Sequence, residues 1–318
     1  MRRSERAAHL LERTHLSAML RGLGTWNGVL VLNYHRIGSA DGTARDPDLW
    51  SAQAGELDDQ VGFLAEHFDL IRPDQIQDVL TQRERAVMLT FDDGYRDNYD
   101  VALPILQKHA VPAVFFIATG LLDEPRLSWW DEIAWMTAHA PAGASGVSRV
   151  RELTSLYKSL GAADAREHLL DRIATETGSG RAPEGLGRDE WMTWPMVRSL
   201  EAAGLSVGGH SHTHPVLARL SPAEQQYEIE TCARRIREEL GHSMRWFSYP
   251  VGLRDSFDPH TRELVGQSGA ELAFSFYGGH VRPSRFDPYD VPRTPVHRES
   301  SAQRFRAAAA APALFARP

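Results

Sequence analysis

The sequence predicts an α/β fold in which mostly parallel strands alternate with helices, and three observations lead there. From Gly28 onward, short β-rich apolar runs alternate with helical stretches, the pattern of a parallel sheet covered by helices. Three polar fragments, Thr90-Phe91-Asp92-Asp93-Gly94, His210-Ser211-His212-Thr213-His214-Pro215 and Arg245-Trp246-Phe247-Ser248-Tyr249-Pro250-Val251-Gly252, lie far apart yet each accompanies such a run. As parallel strands of one sheet or barrel, the runs deliver all three fragments to the carboxyl-terminal edge, where such folds build active sites. With 318 residues and 42% apolar content, the chain can bury a large core.

Taken in order, residues 1–27 read as an amphipathic helix, because a basic start carries Leu10, Leu11, Leu16, Met19, Leu20 and Leu23 at near-helical spacing. It either docks on the main domain or touches a membrane surface. The domain proper spans 28–318. Val29–Tyr34 is its first strand, followed by a helix over Glu56–Glu66, a strand Phe68–Ile71 and a short helix Pro73–Leu80. Ala86–Phe91 is the strand that delivers the two aspartates. A helix over Tyr99–His109 and a strand Val114–Ala118 come next. Residues 121–190 break the rhythm with Trp129, Trp130, Trp135 and a Gly/Ser/Pro-rich loop at Thr177–Gly187, and read as an insertion. It begins just after a strand and so belongs on the catalytic face as a wall or lid. Its tryptophans either form a small core of their own or stack on sugar, Trp130 being the substrate-binding candidate. The rhythm resumes with a helix Trp194–Ala203 and a strand Leu205–Gly209. A helix follows, capped by Ser221 and Glu224 around Pro222, with Ile229, Cys232, Ile236 and Leu240 on one face until Gly241. Strands at Trp246–Tyr249, Leu272–Phe276 and Tyr289–Thr294 complete the series.

Composition narrows the function. A formal charge of −7 without a long basic run excludes nucleic acid as the main partner, since phosphate binding needs clustered Lys and Arg. The single Cys232 permits no intrachain disulfide and reads as a packed apolar side chain. Glu5, Arg6, His9, Glu12 and Arg13 interrupt any secretory apolar stretch, and the run Ala110–Leu122 contains Pro112 and Gly120 and falls short of the ~18 residues of a spanning helix. These features predict a soluble cytoplasmic protein without a transmembrane segment, acting on a neutral or polar substrate.

His210 and His214 stand four apart between Gly208-Gly209 and Pro215, so a helical or tight-turn backbone puts both imidazoles on one side. Two imidazoles and one carboxylate form a common three-ligand catalytic zinc set with a fourth position open. Asp93 is the expected carboxylate, because Gly94 lets the strand end turn. Asp92 then stays unligated as the general base. A backbone N–H in the Tyr249–Gly252 turn can meet an oxyanion, His297 near Arg293 is a candidate acid, and His35 either lines the pocket or packs. The ligand set also suits cobalt, nickel or ferrous iron.

These fragments resemble the polysaccharide deacetylase superfamily, also called the NodB-homology or carbohydrate esterase family 4 group. Thr90–Gly94, His210–Pro215 and Phe247–Gly252 are similar to its first three motifs, with Asn33-Tyr34-His35-Arg36-Ile37 and Ala273-Phe274-Ser275-Phe276 as further similarity. The resemblance implies a distorted or incomplete (β/α) barrel of NodB type and metal-dependent removal of acetyl from an N-acetylated saccharide. It implies Asp92 as base and Asp93, His210 and His214 as ligands; the ligand set itself makes Zn2+ the expected metal, and the reading of the residues makes His35, Tyr249 and Trp130 the candidate substrate contacts. The chain departs from the pattern where Ser248-Tyr249-Pro250 replaces an Arg before a Pro-Pro pair, which removes the usual partner of the base; Arg293 or Arg245 is the expected substitute. Asp287–Arg293 matches the fourth motif poorly, and Pro295-Val296-His297 meets the last one loosely. An esterase or amidohydrolase on another acyl group, and a non-catalytic carbohydrate-binding barrel, are the alternatives.

Overall fold

A computed structural model of the chain describes residues 24–141 and 146–316, together with Arg13, Met19 and Leu20. The expected helix over 1–27, and with it any membrane contact, lies largely outside the described residues.

Eleven strands are present: β1 (Gly28–Tyr34), β2 (Arg36–Ile37), β3 (Trp50–Ala52), β4 (Asp69–Leu70), β5 (Arg85–Phe91), β6 (Val114–Ile117), β7 (Ser206–Gly209), β8 (Trp246–Ser248), β9 (Leu272–Ser275), β10 (Val291–Pro292) and β11 (Thr294–Pro295). Nine of them form one sheet in the order β10-β9-β8-β7-β6-β5-β1-β11, with β4 on β5, and every pair is parallel. The two ends of that order, β10 and β11, are consecutive in sequence with only Arg293 between them. The chain itself spans the seam, so the sheet is nearly closed, a distorted (β/α) barrel as expected.

Strand composition explains which side chain faces where. β1 reads Gly-Val-Leu-Val-Leu-Asn-Tyr with every residue buried, as strands covered on both faces do. Leu30, Leu32, Tyr34, Leu89 and Phe91 belong to the core beneath the outer helices, with Leu57, Val61 and Leu64 of the helix Ala54–His67. Val29, Val31, Met88, Phe116, Trp246 and Phe274 form a second core inside the barrel. The period of two therefore carries Asn33, Thr90 and Asp92 to the interior side at the carboxyl end.

The helices Trp129–Ala138, Val147–Ser159 and Ala163–Thr177 have a core of their own, which includes Ile133, Met136, Leu153, Tyr157, Leu169 and Ile173. Other expectations need adjustment. The segment from Pro73 starts as a 3-10 turn before the helix Ile76–Gln82, and the one near Tyr99 starts as a π-turn over Asn98–Ala102 before the helix Leu103–His109. The continuous strand Tyr289–Thr294 is instead the broken pair β10 and β11, since Pro292 and Pro295 limit ladder bonding. β2, β3 and the helices Thr119–Asp123, Pro259–Gln267, Ala302–Ala310 and Pro312–Phe315 were not anticipated.

Candidate active site

Asp92 sits just past β5 on the barrel's interior side and is 2% exposed. Arg293, at the seam between β10 and β11 and fully buried, grips it with two parallel bonds: Nη1 donates to Oδ1 at 2.7 Å and Nη2 to Oδ2 at 2.8 Å. Asn33 Nδ2 donates to Oδ2 at 2.9 Å, and the Ser248 hydroxyl lies 3.3 Å from the same oxygen and accepts from Arg293 Nη2 at 2.8 Å. Burial pushes the Asp92 carboxyl up, but the Arg293 guanidinium and His210 outweigh it and hold it below the usual carboxylate range. Arg293 thus supplies the partner missing from the third fragment. Arg245 does not, because its exposed side chain is spent on Glu271 at 2.7 Å.

On strand alternation alone Asp93 would face outward. Its φ of +76°, followed by Gly94 at +91°, turns the carboxylate back over the barrel mouth. There Asp93 Oδ1 stands 3.3 Å from His210 Nε2 and 3.2 Å from His214 Nε2, and the two imidazole nitrogens are 3.2 Å apart. A tetrahedral ion with ligands at about 2.0–2.1 Å needs donor atoms about 3.3 Å from one another. Despite these approaches Asp93 Oδ1 has no hydrogen-bond partner, so acceptor lone pairs converge on one point. His210 Nδ1 lies 2.7 Å from the Ser248 carbonyl, which fixes the tautomer that leaves Nε2 free as a ligand. Burial pushes His214 down, toward the neutral form a ligand requires. Asp93, His210 and His214, all buried, are the metal-type cluster found among the described residues, and they fit a small divalent cation.

Local backbone strain builds this triangle. Of the six non-glycine residues with positive φ among those described, Asp93, Ser211, His214 and Val251 all belong to the three fragments. Glu228, from the helix Pro222–Leu240, ties the histidine turn by accepting from the His212 and Thr213 amides at 2.9 and 2.7 Å and from the Thr213 hydroxyl at 2.6 Å. His212 points away, its Nδ1 3.0 Å from Thr119 Oγ1. Cys232 is wholly buried and burial pushes its thiol up to about 12, in keeping with a packing role.

A cavity of about 440 Å³ opens over the site, lined among others by His35, Asp92, Asp93, Trp129, Trp130, His210, His214, Tyr249, Val251, Arg293 and His297. The sequence candidates are therefore brought together, in different attitudes. His35 feels the charges of Asp93 and Asp92, although burial, the larger influence, pushes it down. His297 is exposed, at the side of Asp48. Trp130 is 4% exposed, packs edge-on against His214 with ring centres 4.6 Å apart, and donates to Tyr95 Oη at 2.7 Å. Tyr249 is fully buried, stacked on Phe257 at 3.9 Å, its hydroxyl spent on the Tyr289 carbonyl. In the Tyr249–Gly252 turn, the Tyr249 amide donates to Phe274 and that of Gly252 to Pro250, which leaves Val251, at φ +64°, as the amide without a backbone acceptor. Asn33, Ser248 and Glu228 were not singled out from sequence; Asn33 was legible as an interior-facing polar residue in an otherwise apolar strand.

A nearly closed parallel barrel with a buried carboxylate–guanidinium pair beside a metal-type triad at its mouth defines the class: a (β/α)-barrel protein with a candidate metal centre at the carboxyl ends of its strands. Residues 80–273 match the polysaccharide deacetylase family, and the chain belongs to that family. The Bacillus subtilis (strain 168) protein YxkH, named for a polysaccharide deacetylase, is 32% identical over 246 residues, 76% of this chain and 62% of its own length. The poly-β-1,6-N-acetyl-D-glucosamine N-deacetylase of Escherichia coli (strain K12) is 31% identical over 104 residues, 31% of this chain and 15% of that one. The chain thus spans less than two thirds of these relatives. Among solved structures, the deacetylase PplD of Streptococcus pyogenes superposes with a TM-score of 0.60 at 18% identity, covering 91% of this chain and 98% of that one, which supports the barrel fold.

Proposed function

We propose that the chain removes the acetyl group from an N-acetylated saccharide, a polysaccharide, glycan or lipid-linked sugar, in a metal-dependent hydrolysis. The observation that carries this reading is the convergence of Asp93 Oδ1, His210 Nε2 and His214 Nε2 beside a carboxylate that ligates nothing. A divalent cation held by those three, zinc by preference, supplies Lewis-acid polarisation of the acyl oxygen and an acidified water. Asp92 takes the proton of the water that attacks the acetamide carbon. Its Oδ2 already accepts from Arg293 and Asn33 and has Ser248 close by, so the spare lone pair is on Oδ1. Arg293 and Asn33 fix the carboxylate's angle and keep it ionised. The Val251 N–H meets the oxygen that becomes negative. Proton return to the leaving amine falls to His297, which lines the cavity and is exposed, in preference to His35, which burial pushes toward its neutral form. The helices Trp129–Ala138 and Val147–Ser159 serve as a wall of the cavity, with Trp130 backing His214.

The test measures acetate released from N-acetyl and O-acetyl saccharides, with and without chelator, for the wild type and Asp92→Asn. Release from N-acetyl sugars that chelator and the substitution both abolish is expected. Preferential O-acetyl cleavage would instead favour an esterase, and binding without release a carbohydrate-binding barrel. Metal stoichiometry unchanged in His210→Ala would remove the ligand assignment.

A further inference from the structure

The cavity over the triad is also lined by one face of the helix Val147–Ser159. Arg151, Thr154, Ser155 and Lys158 all line the cavity, and their spacing of three, four and seven residues makes them one stripe of that helix. Arg151 is already engaged, its Nε and Nη2 donating to the Asp48 carboxylate at 2.6 Å each, so it fastens the helix to the β2–β3 connection. The rest of the stripe makes no side-chain hydrogen bond or ion pair among the described residues. Thr154 is 8% exposed, yet its hydroxyl has no hydrogen-bond partner. Leaving a buried hydroxyl unpaired is costly, and a group arriving from the cavity would relieve it. Lys158 has no carboxylate within ion-pair distance among the described residues; its ammonium stands 6.0 Å from the Trp129 ring centre. Of the acids around the stripe, Asp48 is answered by Arg151 and Asp92 by Arg293, while Asp46, buried in the cavity wall, accepts from the Asp48 amide.

Resting on the deacetylase reading above, we infer that Lys158 with the hydroxyls of Thr154 and Ser155 binds an oxyanion of the saccharide, a carboxylate or a phosphate, so that the enzyme selects anionic over neutral N-acetylated glycans. The chemistry suits that ligand: an ammonium and two hydroxyls present donors without a competing carboxylate bond, and an oxyanion offers several strong acceptors. Lys158 and Asp93 line the same cavity, so the recognised group belongs near the sugar whose acetyl group enters the triad.

The experiment is calorimetric binding to the Asp92→Asn protein, which holds substrate without turnover. Three probes are compared: an N-acetylglucosamine pentasaccharide, the same chain with one glucuronic acid, and the same chain with one phosphate monoester. At least one anionic probe is expected to bind about tenfold tighter than the neutral one, and adding Lys158→Met is expected to erase that ratio. Thr154→Val, nearly isosteric, weakens the preferred probe by a few-fold and covers the case in which Lys158→Met fails to fold. Which anionic probe wins names the group. Equal affinity for all three, or variants that weaken all three alike, would overturn the inference. Acetate release by the wild type is scored separately: an affinity ratio without release from any probe sinks the deacetylase reading and keeps the oxyanion site, while release without a ratio does the reverse.

Discussion

At the scale of single residues, the pair Asp92–Arg293 decides the most. Arg293 is fully buried, and its guanidinium is spent on Asp92, Ser248, Thr90 and the Ser275 carbonyl. Removing one partner of a buried, hydrogen-bonded pair leaves an uncompensated charge and costs about 3–5 kcal/mol. Arg293→Met should therefore lower the melting temperature markedly and also release Asp92 from its fixed angle. Asp92→Asn keeps the volume and part of the bonding, so it should cost less stability while abolishing turnover; thermal melts and acetate assays on both variants distinguish the two effects. An Arg293→Met protein as stable as the wild type would show that the pair is not what holds this end of the barrel. The aspartates and histidines were legible in the sequence because their residue types and spacing carry the chemistry directly. The role of Arg293 was half-legible: the sequence showed a base lacking its usual neighbour and offered Arg245 as an equal candidate. Only the closing of the sheet, which puts residue 293 at the seam, separates them.

At the scale of elements, close backbone approach positions the histidines and a buried carboxyl ties the helix Trp129–Ala138 to the barrel. A Cβ on Gly208 would stand 2.7 Å from the Trp246 carbonyl oxygen and 2.8 Å from the Phe116 ring, so β7 can lie this near β6 and β8 only as glycine. Gly208→Ala should push His210 off the triad and cost metal stoichiometry as well as stability. Gly55→Ala, in a helix with nothing within 4 Å of the added atom, should stabilise by about 0.5–1 kcal/mol and leave metal content alone. The helix Trp129–Ala138 is tied to the barrel by Asp131, fully buried, which accepts from the Asp46 amide at 2.8 Å, from Ser128 and Tyr95 hydroxyls at 3.2 and 3.3 Å, and faces Arg36 at 3.7 Å. Burial pushes its carboxyl up to about 7 against the pull of Arg36. A raised folded-state pKa means the native protein holds a proton that the unfolded chain releases, so stability falls as pH rises from about 4 to about 7. Melting temperature should decline over that window, and Asp131→Asn, which cannot ionise, should flatten the decline. The alternation of strands and helices was read correctly because its periodicity is strong. The helix Pro259–Gln267 was missed although Asp258, Pro259 and Thr261 spell its capped start, since β-branched Thr261 and the mid-helix Gly266 weaken its apolar pattern. β2 and β3 were missed because two or three residues carry no period at all.

For the whole molecule, the triad is where the barrel's stability and its chemistry meet. Asp93, His210 and His214 come from β5 and β7, on the two flanks of β6, and burying three polar side chains whose lone pairs converge opposes folding until a cation answers them. Burial alone would raise Asp93, yet the imidazoles hold it well below the usual carboxylate range, so this carboxylate is ionised at neutral pH. A cation bound only by the folded protein stabilises it by mass action, about 4 kcal/mol when its free concentration is about a thousand times the Kd. For a chain of this length a kilocalorie corresponds to about 2 °C, so stripping the metal should lower the melting temperature by about 8 °C and returning zinc should restore it. The same titration on Asp93→Ala should show no dependence on zinc, whereas Asp92→Asn should keep the full shift, because Asp92 lies outside the triangle of ligands. A zinc-dependent shift that survives in Asp93→Ala, or vanishes in Asp92→Asn, would exchange the roles of the two neighbouring aspartates and with them the direction in which water meets the acetamide.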